Sequence, residues 1–318
     1  MSQFTQVDIA ICTWNRCAFL KQTLDSISRL NVEKNVGLRL IVVDNNSADG
    51  TAAVLEKFKR SPFAAVHQFF PLQEPKQGHT HARNCAVRFI RQQSGTDLRD
   101  SELVVWTDDD VLVGEDWITK YVAAAKENPT VDFFGSVIEP KFVGDVPVWV
   151  TENWDTVKGC FAHRDLGSEA VEFSKSCLPY GANFAIRAKV QIQFEFDTTL
   201  GRRGASVMGE DELELMRRLI EAGHSGQWVP RAAVEHLIPD DRMCEKFLYS
   251  YFVGQGAALY AKGESTFADL KAMHREVRLQ YLLYKLKRRV CASPTWMAHL
   301  VRSALAKGQA EELVGKKH

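Results

Sequence analysis

Three aspartates in a row, Asp108, Asp109 and Asp110, stand at the end of the apolar run "LVVWT". Like charges this close repel, so the run needs a counter-charge, and a hard divalent cation bound through carboxylate oxygens supplies one. In an extended chain Asp108 and Asp110 face one side and Asp109 the other, so two carboxylates can share one ligand. The competing arrangement is a solvated loop whose first carboxylate caps the helix at "GEDW". A second acidic pair, Glu210 and Asp211, opens "GEDELELMRR". Acidic residues favour a helix start, where the dipole is positive, and a carboxylate held near a hydroxyl acts as a general base. His236, in "AAVEHLIP", adds an imidazole, which together with oxygen ligands suits manganese as well as magnesium. Asp44 closes "LIVVD"; at a strand tip it can accept hydrogen bonds from an imide or a sugar hydroxyl, and as a turn former it can cap the next helix. Thr13 and Asn15, in "TWNR", have the same two roles open to them.

These residues act together only if the fold brings them together. "VDIAIC", "LRLIVVD", "AAVHQFF" and "ELVVWTDDD" read as strands, and "AFLKQTLDSISRL", "GTAAVLEKFKR", "HTHARNCAVRFIRQQ" and "EDWITKYVAAAKEN" read as the helices between them. Strand and helix alternating at this spacing imply βαβ units, that is, an α/β doubly wound, mostly parallel sheet with helices on both faces. Such sheets bind ligands beyond the carboxyl ends of their strands. "TWNR", "DNNS", "QEPKQGHT" and "TDDD" follow the four strands in turn, so all four clusters fall on one rim. After Asn128 the pattern loosens. "VDFFGSVIEP" reads as a strand, "LPYGANFAIRAKV" as a strand that opens a helix, and "GEDELELMRRLIEAG" as a helix closed by Gly223. From Arg242 the chain reads as helical. The expected organisation is a catalytic domain over 1–241, with a variable region at 141–177, and a helical extension over 242–318.

The bulk numbers exclude several classes. With 45% apolar and 10% aromatic residues in 318, the chain can bury a real core. Lys plus Arg equals Asp plus Glu at 40 each, so no global field argues for a nucleic-acid partner. The balance is uneven: from Asp269 on there are eleven basic residues against four acidic ones. Seven cysteines without a CxxC pair fit neither a disulfide framework nor a zinc ribbon, and point to a reducing cytoplasm. The first residues lack the charged and apolar regions of a leader, and no apolar run approaches the length of a spanning helix. There is no GxGxxG after the first strand, no GxxxxGK[ST] and no GxSxG, which leaves metal and diphosphate chemistry.

In order, "CTWNR", "VVDNNSADGT", "GHTHARNCAV", "VWTDDDV", "PYGANFAIR", "GEDEL" and "VPRAAVEH" resemble the successive signatures of a family 2 glycosyltransferase with the GT-A fold, from about Ile9 to His236. The resemblance implies an inverting, metal-dependent transfer of one sugar from a nucleoside diphosphate sugar, UDP first among carriers, to a hydroxyl acceptor that is a sugar or a lipid-linked sugar. It implies that Thr13, Asn15, Arg16 and Asp44 line the nucleotide pocket, with Asp44 reading the base. Gly78, Arg83 and Asn84 would close over the ribose and sugar side, with Asp108 facing the ribose or sugar. Asp110 and His236 would hold Mn2+ or Mg2+, with Asp109 as the alternative to Asp110. Asn183 would lie beside acceptor and donor sugar, and Asp211, or Glu210 in its place, would be the base. Processive members of the family carry a Gln-x-x-Arg-Trp signature and transmembrane helices; this chain has neither, which implies a single transfer per encounter.

In the variable region Trp149, Trp154 and Phe161 are placed to stack on a sugar ring or to pack under the loop, and His163 with Arg164 to meet a hydroxyl or phosphate or to pack likewise. The "KLKRR" cluster beside "LQYLLY" suggests peripheral contact with the inner face of a membrane, against plain helix packing. Two other functions share parts of this pattern. A sugar nucleotidyltransferase would want a Gly-rich basic loop after strand one, and a non-catalytic nucleotide- or carbohydrate-binding module would have no use for both acidic clusters.

Overall fold

A computed structural model describes residues 6–93, 102–200, 211–261, 263–265 and 267–315. The chain runs β1 (Gln6–Thr13), α1 (Cys17–Ile27), β2 (Gly37–Asp44), α2 (Thr51–Phe58), α3 (Pro62–Val66), β3 (Gln68–Gln73), α4 (His79–Gln93), β4 (Leu103–Asp108), β5 (Val111–Val113) and α5 (Trp117–Glu127). It continues β6 (Phe133–Gly135), β7 (Ile138–Phe142), α6 (Val148–Glu152), α7 (Trp154–Val157), β8 (Asn183–Arg187), α8 (Ala188–Gln191), α9 (Asp211–Glu221), β9 (Gly226–Trp228) and β10 (Val234–Ile238). Three long helices follow: α10 (Glu245–Ala261), α11 (Leu270–Lys287) and α12 (Ser293–Gly315).

Seven strands form one sheet in the order β3-β2-β1-β4-β8-β6-β9, and β5-β10-β7 form a smaller one. β3, β2, β1 and β4 pair in parallel, as do β6 and β9; β8 runs antiparallel to both β4 and β6. The expected two-faced burial is seen in β1, whose period-2 alternation sends Val7, Ile9 and Ile11 to one apolar cluster and Ala10 to the other. Leu20, Leu24 and Ile27 of α1 join the first cluster. Ala82, Ala86, Val87 and Ile90 of α4 join the second. Both helices recur at steps of three and four, so each turns one apolar stripe to the sheet.

Two local readings are corrected. "AAVHQFF" is not one strand: Pro62 opens the short helix α3, with Ser61 Oγ accepting the Ala64 N–H (3.3 Å), and β3 begins only at Gln68. Ser before Pro is a helix-start signal that outweighed the apolar run. "VDFFGSVIEP" is likewise two strands, β6 and β7, in different sheets. The chain breaks at Gly135 and Ser136, where a Cβ on Gly135 would come within 2.1 Å of Pro179 Cβ. β4 ends at Asp108, and Asp109 and Asp110 form the turn into β5.

The chain divides into two compact units. The first holds the described residues up to Lys141, from Ala162 to Leu200 and from Asp211 to Leu237; the second holds Phe142–Phe161 and the described residues from Ile238 on. A single boundary near residue 241 is thus replaced by an interleaved one, because α6, α7 and the turn after them share an apolar cluster with the C-terminal helices through Val150, Val157, Phe161, Leu248, Trp296 and Leu300. Within this unit α10 and α12 cross at glycines: a Cβ on Gly308 would lie 1.9 Å from Val253 O and one on Gly256 2.1 Å from Leu305 O. No helix among the described residues is long and apolar enough to cross a membrane.

Candidate active site

Parallel pairing sets the rim. Thr13 stands opposite Asp44, Asp44 opposite Gln73, and Cys12 opposite Asp108, so the tips of β3, β2, β1 and β4 lie in a row. The loops beyond them are stitched together by side chains. Asn15 adopts φ 52°, and its Oδ1 accepts the Ala48 N–H (2.7 Å) while its own N–H donates to Ser47 Oγ (2.9 Å). Asn tolerates this left-handed backbone better than most residues. Asp44 is buried, and its Oδ1 accepts the Ser47 N–H (2.9 Å). Asn45 is a hub: its Nδ2 donates to Glu74 O and Lys76 O and its Oδ1 accepts the Gly78 N–H, each at 2.8 Å. Gly78, at φ 140°, supplies the backbone that α4 needs to start. Trp14 carries no signal in the sequence, yet its side chain stands 53% exposed on this rim.

The aspartate run divides by role. Asp108, Asp110 and His236 each offer a ligand atom within 4.8 Å of the others. His236 is delivered by the antiparallel pairing of β10 with β5, which sets it opposite Val111, and by the Leu237 N–H donating to Asp110 O (2.8 Å). Its Nε2 lies 3.1 Å from Asp110 Oδ1, and its buried Nδ1 has no hydrogen-bond partner among the described residues. Two carboxylates and an imidazole converging on one point fit a divalent cation. Asp109 turns elsewhere: its Oδ2 accepts from Thr13 Oγ1 (2.7 Å) and its backbone oxygen from Thr23 Oγ1 (2.8 Å). Arg16 bridges the two later aspartates, Nη1 to Asp109 Oδ1 at 3.0 Å and Nη2 to Asp110 Oδ2 at 2.6 Å. Burial pushes the Asp109 carboxyl up to about 7 against the pull of Arg16, and the Asp110 charge adds to the rise. Arg16 therefore offsets part of the repulsion among the three carboxylates.

A second charged centre forms where α9 begins. Arg83, on α4, is buried; its Nη1 donates to Asp211 Oδ2 at 2.8 Å and lies 3.4 Å from Glu212 Oε2. Its guanidinium stands over the rings of Trp106, Phe184 and Phe196 at 5.0 to 5.9 Å. Burial works to raise the Asp211 carboxyl, but Arg83, with His79 Nδ1 at 3.5 Å, outweighs it and holds the group well below the usual range. Glu212 goes the other way: burial pushes its carboxyl up to about 7 despite Arg83, and the charges of Asp211 and Asp108 contribute. Asp108 is thus within electrostatic reach of both centres. Gly181 leaves room for this pair, since a Cβ there would lie 2.9 Å from Arg83 Nη2 and 3.0 Å from Glu212 Cδ. Glu212 is the residue that sequence reasoning passed over, although it stands one position beyond Asp211 in a run of acids. Glu210 lies outside the described residues.

Other expected contacts are corrected. Asn84 uses one donor and one acceptor of its amide on one residue, Nδ2 donating to Phe196 O (2.8 Å) and Oδ1 accepting the Phe196 N–H (2.7 Å), so it anchors that segment. Asn183 has all four hydrogen bonds filled: Oδ1 accepts from Trp117 Nε1 (3.0 Å) and Tyr121 OH (2.8 Å), and Nδ2 donates to Val137 O (2.9 Å) and Ala232 O (2.8 Å). It is a buried tie between layers rather than a sugar contact. Asn183→Ala would strand four buried partners at about 1–3 kcal/mol each, partly relieved by relaxation. A urea midpoint well below that of the parent is expected; an unchanged midpoint with a raised KM would restore the sugar-contact role. In the second unit Trp149 packs edge-on to Trp296 (6.5 Å) and Trp154 stacks on the buried Phe161 (6.5 Å, 5°), both Trp rings staying half-buried. Arg164 donates to Leu178 O (2.7 Å) and lies over the Tyr180 ring, while His163 Nδ1 faces Glu139 at 3.2 Å.

The profile of Glycosyl transferase family 2 matches residues 8–178, more than half of the chain. Among curated proteins, the glucosyl-dolichyl phosphate glucuronosyltransferase of Haloferax volcanii is 25% identical over 293 residues, which cover 89% of this chain and 86% of that one. The succinoglycan biosynthesis protein ExoM of Rhizobium meliloti is 28% identical over 177 residues, 51% of this chain and 53% of its own length. Two solved structures share the fold: a mannosyltransferase from Pyrobaculum calidifontis in complex with GDP-Man and Mn2+ (TM-score 0.59, 15% identity, 98% of this chain and 87% of that one) and S. aureus TarS 1-349 (0.53, 14%, 98% and 92%). The mostly parallel sheet with its covering helices is therefore the GT-A arrangement. This chain belongs to glycosyl transferase family 2 and is a glycosyltransferase.

Proposed function

We propose that the protein moves a single sugar, with inversion, from a nucleoside diphosphate donor to the hydroxyl of a lipid-linked sugar, at a divalent cation held by Asp108, Asp110 and His236. The observation that carries this reading is that one rim bears two separate charged centres, an O,O,N cluster and the Arg83–Asp211–Glu212 group, with Asp108 felt by both. The nature of the donor agrees with solved relatives bound to GDP-Man or UDP-GlcNAc. The lipid-linked acceptor is supported by the name of the Haloferax volcanii relative, and with such an acceptor the reaction we propose runs at the inner face of a membrane.

Bound manganese or magnesium would neutralise charge growing on the departing diphosphate. The protein does the rest. Asp44, with the Thr13–Arg16 loop, forms the nucleotide end, and the exposed Trp14 offers a face for a base or sugar to stack on. Arg16, already between Asp109 and Asp110, supplies a fixed positive charge beside the phosphate position. Arg83, clamped by Asp211, keeps Glu212 oriented. As the acceptor oxygen bonds to the anomeric carbon and the carbon–phosphate-oxygen bond breaks, Glu212 takes the hydroxyl proton and the nucleoside diphosphate leaves. One displacement inverts the centre. The base passes from Asp211, its expected holder, to Glu212 because Asp211 is fully buried in its 2.8 Å ion pair with Arg83, whereas Glu212 sits at 3.4 Å from Arg83 and keeps 14% of its side chain exposed, where an acceptor hydroxyl can reach it.

The test is a panel of UDP-, GDP- and dTDP-sugars, each added to the protein with and without Mn2+, with thermal unfolding as the readout. UDP-sugars with Mn2+ are expected to raise the melting temperature. No shift with any donor in either condition would sink the proposal.

A further inference from the structure

One face of α11 is not covered by its own unit. The opposite face is committed: Met273, Gln280 and Tyr284 are buried, Tyr284 beside Trp296 (ring centroids 6.0 Å) and Gln280 Oε1 against His299 Nδ1 (2.5 Å). Outward, Leu279, Leu282, Leu286 and Val290 follow one another at steps of three and four along the helix and the turn after it, exposed by 49, 57, 57 and 82%. That spacing lays them in one stripe. Lys271, Arg275, Arg278, Lys285 and Arg289 are placed beside and between them. Lys271, Arg275, Arg278 and Arg289 form no ion pair among the described residues. From 270 to 292 the one acidic residue is Glu276, half-buried, with Arg302 Nη2 at 2.7 Å. The exposed face is therefore apolar and positive at once.

We propose that this face of α11 docks on the surface of an anionic lipid bilayer. The leucines and Val290 enter the boundary between headgroups and acyl chains, while the long basic side chains lay their stems along the apolar stripe and carry their charges out to the lipid phosphates. Charge selects this occupant. An anionic leaflet attracts clustered Lys and Arg, and no carboxylate on this face opposes it. A nucleic acid would be met by the charges but would leave the leucines in water. The proposal deepens the lipid-linked acceptor inferred above, since a bilayer-bound enzyme meets such an acceptor in place, but its test contains neither donor nor acceptor, so the two can fail separately.

The experiment is sedimentation of the full chain with vesicles of phosphatidylcholine alone and of phosphatidylcholine mixed with phosphatidylglycerol, at low and at high salt. The chain is expected to sediment with the mixed vesicles at low salt and to be released at about 1 M salt, where screening is short-ranged. Leu282→Glu with Leu286→Glu should weaken binding at least about tenfold, the loss expected when buried apolar contacts are replaced by like-charged repulsion at the membrane. Both side chains are exposed, so the variant's thermal melt should match the parent's. No binding to mixed vesicles, equal binding to both kinds, or parental binding by the double variant would each overturn the proposal. So would a dimer in sedimentation velocity that the same substitutions dissociate, since a second copy would then cover the face.

Discussion

Glu212→Gln is expected to lower kcat by about 100- to 10,000-fold, the span that general base catalysis contributes, and to leave the donor's effect on thermal unfolding in place. The amide keeps the size and the contact with Arg83 but cannot take a proton. In the parent enzyme the base works only when ionised, so kcat should climb as pH rises through about 7, where burial has pushed the Glu212 carboxyl. That limb should vanish from whatever activity the variant retains. Asp211→Asn makes the contrast. It weakens the 2.8 Å ion pair that holds Arg83, a buried charge, so it should cost stability as well as rate. If Asp211→Asn abolishes transfer with the melt intact, while Glu212→Gln leaves the pH profile unchanged, the base is Asp211 and Glu212 only supports it.

Asp110→Asn is expected to remove the Mn2+ dependence of donor binding altogether, and with it transfer, by more than about 100-fold. Replacing groups that merely support a metal ligand already costs about 10- to 100-fold. Asp110 is a ligand candidate itself, beside Asp108 and His236. The apoprotein should survive the change, because the like charges of Asp108, Asp109 and Asp110 oppose one another, and Arg16 keeps Asp109 at 3.0 Å. The readouts are the melting shift with donor at increasing Mn2+ and the rate of transfer. Asp109→Asn separates the two neighbours: it should lose the ion pair with Arg16, one of its two oxygen acceptors and some stability, yet keep a response to Mn2+. A surviving Mn2+ response in Asp110→Asn, lost instead in Asp109→Asn, would assign the ion to Asp109.

The features legible in the amino-acid string are local or periodic. Alternation in β1 and the three-and-four spacing in α1 and α4 are enforced by backbone geometry, so they announce a two-faced parallel sheet before any contact is known. Once the sheet is parallel, its strands end on one rim, and the clusters at Thr13, Asp44 and Asp108 must share it. The "TDDD" run was readable for the same reason: repulsion among neighbouring charges is a property of the string. The short helix α3 escaped because its start signal, Ser61-Pro62, preceded a run that also fits a strand.

Partnerships across long sequence distances came from the folded chain, although the family resemblance already implies that Asp110 and His236 meet. That Arg16 bridges Asp109 and Asp110, that β10 carries His236 to Asp110, and that Arg83 binds Asp211 depend on pairings no local pattern encodes. The same limit governs the amides. Asn183 sits inside a motif that looks like a ligand contact, and only its four filled hydrogen bonds show it to be a tie within the scaffold. An Asn offers the same donors and acceptor to a sugar as to a carbonyl, so the letter cannot say which it meets. Asp211 and Glu212 are adjacent acids in the sequence; the fold separates their surroundings by giving Asp211 the closer contact with Arg83, at 2.8 Å, and Glu212 the longer one, at 3.4 Å, with more of its side chain exposed.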